Sequence, residues 1–256
     1  MSDGKKPTIL AFTGKGGVGK TSLSAQCVRL LSEIYPDRRI LAIDADPAIG
    51  LATALGVEVG STVDDIRKMF VETAEEGEKK AAIELLGEAK FRMVDAMVEE
   101  KNISFLAIGR PESAGCYCKV NAYLKEIIGS IADNYDYVVI DGEAGIEQVN
   151  RRVMEEVTHL ILVSDASKKG LLVTETIHRV AEDLTMAQHS GLIINRIPQA
   201  VDRSQLDTYG LPILSMIGDD PEMALSDMRG DSAFMVPRED PVCSGMEQAL
   251  KVLEII

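Results

Sequence analysis

A glycine-rich octet, Gly14-Lys15-Gly16-Gly17-Val18-Gly19-Lys20-Thr21, stands between an apolar, β-branched run, Thr8–Thr13, and an amphipathic stretch from Thr21 to Leu31. A strand that turns through glycines straight into a helix opens a βαβ unit, and the next strand must then lie parallel to the first. The rest of the chain repeats the alternation. Further strands are expected at Ile40–Ile43, Ser104–Ile108, Tyr137–Ile140, His159–Val163, Gly191–Asn195 and Pro212–Ile217. Continuous apolar runs such as Tyr137-Val-Val-Ile140 suit strands covered by helices on both faces. The fold class is therefore α/β, a mostly parallel sheet of seven or eight strands flanked by helices. The 256 residues contain no Pro/Gly/Ser-rich linker, internal repeat or low-complexity tract, so one domain over 1–256 is the simplest organisation. Residues 62–101 depart from the alternation and read as helix throughout. There Ile83, Leu86, Met93 and Met97 fall near one face, and Glu75, Glu76 and Glu78 mark a break between two helices. Such a stripe is expected to pack on the sheet, with a partner-docking surface as the alternative.

The octet fits the phosphate-loop pattern, with Gly14, Gly19, Lys20 and Thr21 in the required places. Glycines let the backbone of Gly14 to Ser22 curl so that N–H groups point inward, and the following helix adds the positive end of its dipole. Lys20 would neutralise the β- and γ-phosphates of a nucleotide, and the Thr21 hydroxyl would ligate Mg²⁺. Two carboxylate motifs follow strands: Asp44-Ala-Asp46-Pro47 and Asp141-Gly-Glu-Ala-Gly145. Both then face the crevice in which open α/β sheets bind ligands. Asp44 and Asp141 could order the water shell of Mg²⁺, Asp46 could position an attacking water, and the Gly145 N–H could meet a γ-phosphate. Taken singly, an aspartate after a strand is more often a helix cap.

Composition narrows the partners. The formal charge is −14, from 41 acidic against 27 basic groups, which opposes nucleic acid and anionic membrane surfaces. The final stretch, Ser244–Ile256, sets Lys251 against Glu247 and Glu254 and reads as a core helix rather than a cationic membrane tail. Met1–Pro7 is short and polar and leads into a strand, so no secretory signal is expected and a cytoplasmic location follows. Four cysteines are then thiols or metal ligands. Cys116-Tyr-Cys118 could hold a soft metal ion, but two thiolates fill only half of a four-coordinate site. Two chains would complete it if the segment lay on a two-fold axis; buried thiols or a redox pair are the other readings. Cys27 falls on the apolar face of the first helix, Cys243 opens the last one, the eleven methionines read as core filler, and His159, His178 and His189 are isolated along the sequence.

The pairing of Lys15 with Lys20 resembles the deviant Walker A signature of the MinD, ParA and nitrogenase iron-protein class of dimeric ATPases. That resemblance implies that Lys15 reaches the partner's nucleotide across a dimer. It further implies that Asp46 is the switch I aspartate, and that Asp141 and Gly145 belong to switch II, although Glu143 stands where many relatives carry proline. Asn195-Arg196 would lie where the class reads adenine. With the cysteine pair added, the residues Gly14–Thr21, Asp44–Pro47, Gly109–Cys118 and Asp141–Gly145 resemble the CooC family and its AcsF-type counterparts, as does Ser164–Gly170. This implies a homodimer that binds one Ni²⁺ or Zn²⁺ through Cys116 and Cys118 of both chains. It would couple ATP/ADP state to metal delivery toward a client of the carbon monoxide dehydrogenase or acetyl-CoA synthase type. The alternative is an iron–sulfur reductase or cluster carrier like the nitrogenase iron protein, whose second ligand lies beyond switch II, where this chain has Glu143, Ala144 and Ile146 but no cysteine. A spatial organiser acting on membrane or DNA is the third possibility and lacks the basic surface it would need.

Overall fold

The computed structural model describes residues 6–75, 79–110, 118–143, 153, 157–184 and 186–256. Its strands are β1 (Thr8–Gly14), β2 (Ile40–Asp44), β3 (Val98–Glu100), β4 (Ile103–Ala107), β5 (Tyr137–Asp141), β6 (Val157–Ser164), β7 (Ala187–Ile197) and β8 (Ile213–Gly218). They form one sheet in the order β3-β4-β2-β5-β1-β6-β7-β8. All neighbours run parallel except β3, which is antiparallel to β4. The chain first builds the sheet on one side of β1 and then, from β6 onward, on the other. The C-terminal end of β1 is thus the point where strand order reverses, the usual ligand crevice of an open α/β sheet.

Helices described on the two faces are α1 (Lys20–Ile34), α2 (Gly50–Leu55), α3 (Val63–Glu75), α4 (Lys79–Asp95), α5 (Cys118–Ala132), α6 (Lys168–Asp183), α7 (Pro221–Arg229) and α8 (Pro241–Val252). Side chains alternate along a strand, so Leu10 and Phe12 of β1 join one core while Ala11 joins the other. The first core takes Leu23, Cys27 and Leu30 of α1 with Met246, Ala249 and Leu250 of α8. The second takes Phe70 of α3, Met93 of α4, Ile128 of α5 and Leu171 of α6. The final stretch is therefore a core helix, as its pattern indicates. At the start of α3, Asp65 accepts from the N–H and hydroxyl of Thr62 while Thr62 Oγ1 accepts from Asp65 N, a reciprocal cap that fixes where the helix begins.

Residues 62–101 are not helical throughout. α4 ends at Asp95, and Val98–Glu100 forms β3, the eighth strand, on the sheet edge. Met97 therefore leaves the helical stripe, whereas Met93 is fully buried in it. Only one apolar residue, Val98, marks β3, and its pairing comes from β4, so a helical periodicity ran past it unopposed. The break around residues 76–78 and the side chains of Ile83 and Leu86 lie outside the described residues.

Candidate functional site

Gly14 ends β1 beside Val163 of β6, and its φ is 143°. A Cβ there would lie 2.0 Å from the Val163 carbonyl oxygen, so the position tolerates glycine alone. The turn then uses positive φ at Gly17 (77°) and Gly19 (92°) before α1 starts at Lys20. Lys20 is buried, and its Nζ donates to the loop carbonyls of Gly14 (3.4 Å) and Lys15 (3.2 Å). The loop is thereby wrapped around its own ammonium group, which lies within the curl that N–H groups of such a turn offer an anion.

Two carboxylates sit side by side beneath it. Asp44 and Asp141 end the adjacent strands β2 and β5 and are register partners. Asp141 accepts from Thr21 Oγ1 (2.7 Å) and Ser24 Oγ (3.2 Å). Asp44 accepts from the backbone N–H groups of Asp46 (3.1 Å) and Leu51 (2.8 Å), so it closes the segment that carries Asp46. Asp44 thus satisfies a first-turn N–H of α2, although the N-cap position itself is Ile49. Asp46 itself accepts from Ala48 N at 2.9 Å in a tight turn. Burial, then the neighbouring Asp141, pushes Asp44 up to about 7 against its backbone hydrogen bonds. Burial lifts Asp141 to about 6 despite Thr21, Ser24 and the Lys20 charge. Such a pair wants a cation. Among the described residues no group of three or more His, Cys, Asp or Glu forms a metal cage. Mg²⁺ needs no such cage, because it keeps several waters and takes one or two carboxylates plus phosphate oxygens, so Thr21, Asp44 and Asp141 fit it.

The sign of the Asp44 shift gives a test. Its folded pKa lies above the unfolded value of about 3.9, so its contribution is full below pH 4 and is lost as pH rises toward 7. The nucleotide-free chain should therefore lose stability relative to Asp44→Asn across that window, by about 4 kcal/mol at the most. Urea midpoints of both proteins at pH 5 and pH 7.5 measure this; a difference that does not change with pH contradicts it.

Lys15 folds onto its own chain, its Nζ 2.5 Å from Asp165 Oδ2 and 3.5 Å from Ser167 Oγ. Burial works to raise the pKa of Asp165, but hydrogen bonds from Lys15 and Ser167 outweigh it and hold it below the ordinary range. Asn195, at the end of β7, donates Nδ2 to Val18 O (2.9 Å), and Arg196 Nη1 donates to Gly17 O (2.9 Å). These two residues brace the glycine loop from behind. They also line a cleft of about 100 Å³ with Gly19, Ser22, Gly218 and Asp220. One Asn195 N–H remains for a base placed in that cleft. Across Ser22 a hollow of about 380 Å³ lies between α1, α2 and α7, and Asp227 of α7 reaches Ser22 Oγ at 3.3 Å and Arg196 at 3.8 Å. Asp227, Ser24 and the Gly218–Asp220 wall are parts of the site that motif reading missed. Ser24 alone had a local signal, lying one helical turn beyond Lys20.

Gly145 and Cys116 lie outside the described residues, and Cys118 is the first residue of α5. Cys27 and Cys243 are buried free thiols in the first core.

A glycine loop at the strand-order reversal, a buried lysine in it, and a hydroxyl–carboxylate pair beneath define a P-loop ATPase. Residues 7–190 match the AAA domain family. An uncharacterized ATP-binding protein of Methanocaldococcus jannaschii is 34% identical over 94% of this chain and 96% of its own length. The carbon monoxide dehydrogenase accessory protein CooC of Rhodospirillum rubrum is 31% identical over 94% of each. Among solved structures, the septum site-determining protein MinD of Pyrococcus horikoshii with Mg-ADP superposes with a TM-score of 0.69 at 24% identity, covering 96% of both chains. The chain belongs to this AAA domain family, and its fold is that of the MinD structure. Among the described residues no helix is long and apolar enough to cross a membrane.

Proposed function

We propose that this ATPase acts as a homodimer that carries Ni²⁺ or Zn²⁺ on Cys116 and Cys118 of both chains and couples nucleotide state to metal delivery during maturation of a metalloenzyme. The client would be of the carbon monoxide dehydrogenase or acetyl-CoA synthase type. The observation that carries the coupling is a hydrogen bond at the sheet end. Ile108 N donates to the main-chain oxygen of Asp44 at 2.8 Å, while Ile108 O accepts from Asp64 N at 2.9 Å. The next residue, Gly109, opens the cysteine segment and is packed so tightly that a Cβ would lie 2.6 Å from Thr62 Oγ1. A shift of Asp44 is therefore passed to Gly109 and to the start of α3. The CooC relative, named as a carbon monoxide dehydrogenase accessory protein, supports the client class.

At the nucleotide, Lys20 holds the β- and γ-phosphates, Asp46 orients the attacking water, Gly145 N–H meets the γ-phosphate and Asn195 with Arg196 frames the base. Thr21, Asp44 and Asp141 would hold Mg²⁺, which would supply charge neutralisation on the phosphates. Lys15 exchanges Asp165 for the partner's phosphates on dimer closure. Its ion pair is about one-third exposed on each side and worth at most about 1 kcal/mol, so releasing it costs little.

Anaerobic elemental analysis and sizing, with and without ATP, test the reading. Cys116→Ala with Cys118→Ala should abolish metal-linked dimerisation and leave nucleotide affinity intact. By linkage, metal affinity must differ between ATP and ADP states by the same free energy with which metal alters nucleotide affinity or dimerisation. Full metal stoichiometry in the double variant overturns the site, and equal metal affinity in both nucleotide states overturns the coupling.

A further inference from the structure

Two histidines that look isolated in the sequence meet on the sheet. His159 of β6 and His189 of β7 are register partners, and their rings stack with centroids 5.2 Å apart at 28°. His159 is also in register with Leu10, four residues before Gly14 on β1, which places the pair about 13 Å along the strands from the phosphate loop. It therefore lies toward the opposite end of the sheet from the nucleotide site.

Hydrogen bonding fixes the tautomer of His159. Thr158 Oγ1 lies 2.7 Å from both the N–H and the carbonyl oxygen of Ile9, and 2.8 Å from His159 Nδ1. Ile9 N–H can only donate to the hydroxyl, and Ile9 O can only accept. The single hydroxyl proton must go to Ile9 O, since otherwise two oxygens would face each other at 2.7 Å without a proton. His159 Nδ1 is left to donate to Oγ1, and Nε2 carries the lone pair. A metal-binding histidine is prepared in this way, its second nitrogen donating to a fixed acceptor. Burial, with His189 adding to it, holds the His159 pKa down to about 4, so the ring is neutral near pH 7. His189 is exposed and can turn.

We propose that His159 and His189 form a two-imidazole site for one borderline divalent ion, Zn²⁺, Ni²⁺ or Cu²⁺, separate from both the nucleotide and the cysteine pair. Imidazole nitrogens suit these ions. Two nitrogens bound at 2.0–2.1 Å to one ion lie about 3–4 Å apart, a separation that requires the exposed His189 ring to turn toward His159. Among the described residues no third His, Cys, Asp or Glu joins them, so water completes the coordination and the site is weaker than a four-ligand structural one.

The test uses the full chain with Cys116→Ser and Cys118→Ser, which removes the competing thiolates. Zn²⁺ titration by calorimetry should give one ion per chain, and Cu²⁺ should show an electron paramagnetic resonance spectrum with two imidazole nitrogens. Adding His189→Gln, an exposed change, should remove one nitrogen from the spectrum and weaken binding by at least about tenfold, while ATP affinity is unchanged. Thr158→Val should keep both nitrogens yet weaken binding by about tenfold. Cu²⁺ bound without imidazole coupling, no Zn²⁺ uptake by the cysteine-free chain, or unchanged affinity in His189→Gln each overturns the site and shows the rings merely stack. None of these outcomes depends on the cysteine assignment.

Discussion

Lys20→Ala is expected to lower ATP turnover by about 100-fold or more while leaving the fold intact. Lys20 is 8% exposed, and its ammonium donates to two main-chain carbonyls, those of Gly14 and Lys15. A buried ammonium held by neutral oxygens is only partly compensated, so a phosphate arriving in the loop gains more from it than from a solvated lysine. Removing one such preorganised group typically costs two to three orders of magnitude in rate, about 2.7–4 kcal/mol. Arginine should not rescue, because its planar fork does not fit a point-charge pocket curled around one nitrogen. Phosphate release under saturating Mg-ATP, with far-UV circular dichroism as the folding check, measures the effect. Near wild-type turnover in a folded Lys20→Ala protein would remove Lys20 from the machinery.

The loop glycines should separate into three classes when each is changed to alanine. At Gly14 the new Cβ would lie 2.0 Å from a backbone oxygen of β6, so strands β1 and β6 must part. The expected loss exceeds about 4 kcal/mol, beyond ordinary single substitutions, and the protein should fail to fold or melt far below the parent. At Gly17 there is open space but a φ of 77°, so only backbone strain of about 1–2 kcal/mol applies. Gly16 has neither a close neighbour nor a positive φ, and alanine there should be nearly neutral for stability. Urea denaturation of the three variants gives the order, and equal midpoints for Gly14→Ala and Gly16→Ala would refute the steric argument.

What could be read in the chain beforehand follows the range of the interactions. The phosphate loop is local, so spacing alone placed Gly14 to Thr21, and uninterrupted apolar runs located β2 and β5 because both of their faces are covered. The carboxylates Asp44 and Asp141 were legible as residues that end strands, but their adjacency required the β2–β5 pairing. Lys15 and Asp165 are 150 residues apart, and Ser22 and Asp227 are 205 apart; no local pattern encodes such contacts. The histidine pair was hidden for the same reason, since only the β6–β7 register brings it together. β3 was lost differently: three residues with one apolar side chain cannot outweigh the helical periodicity before them.

That short strand also governs how copies of the chain can meet. Val98–Glu100 offers three residues of edge, two of them exposed glutamates. A second molecule docking there in antiparallel fashion would bring carboxylate against carboxylate, a repulsion that natural sheets use to keep their margins from polymerising. Growth by ribbon extension is disfavoured on this flank, so strand-to-strand joining of copies is left to the opposite margin, at β8.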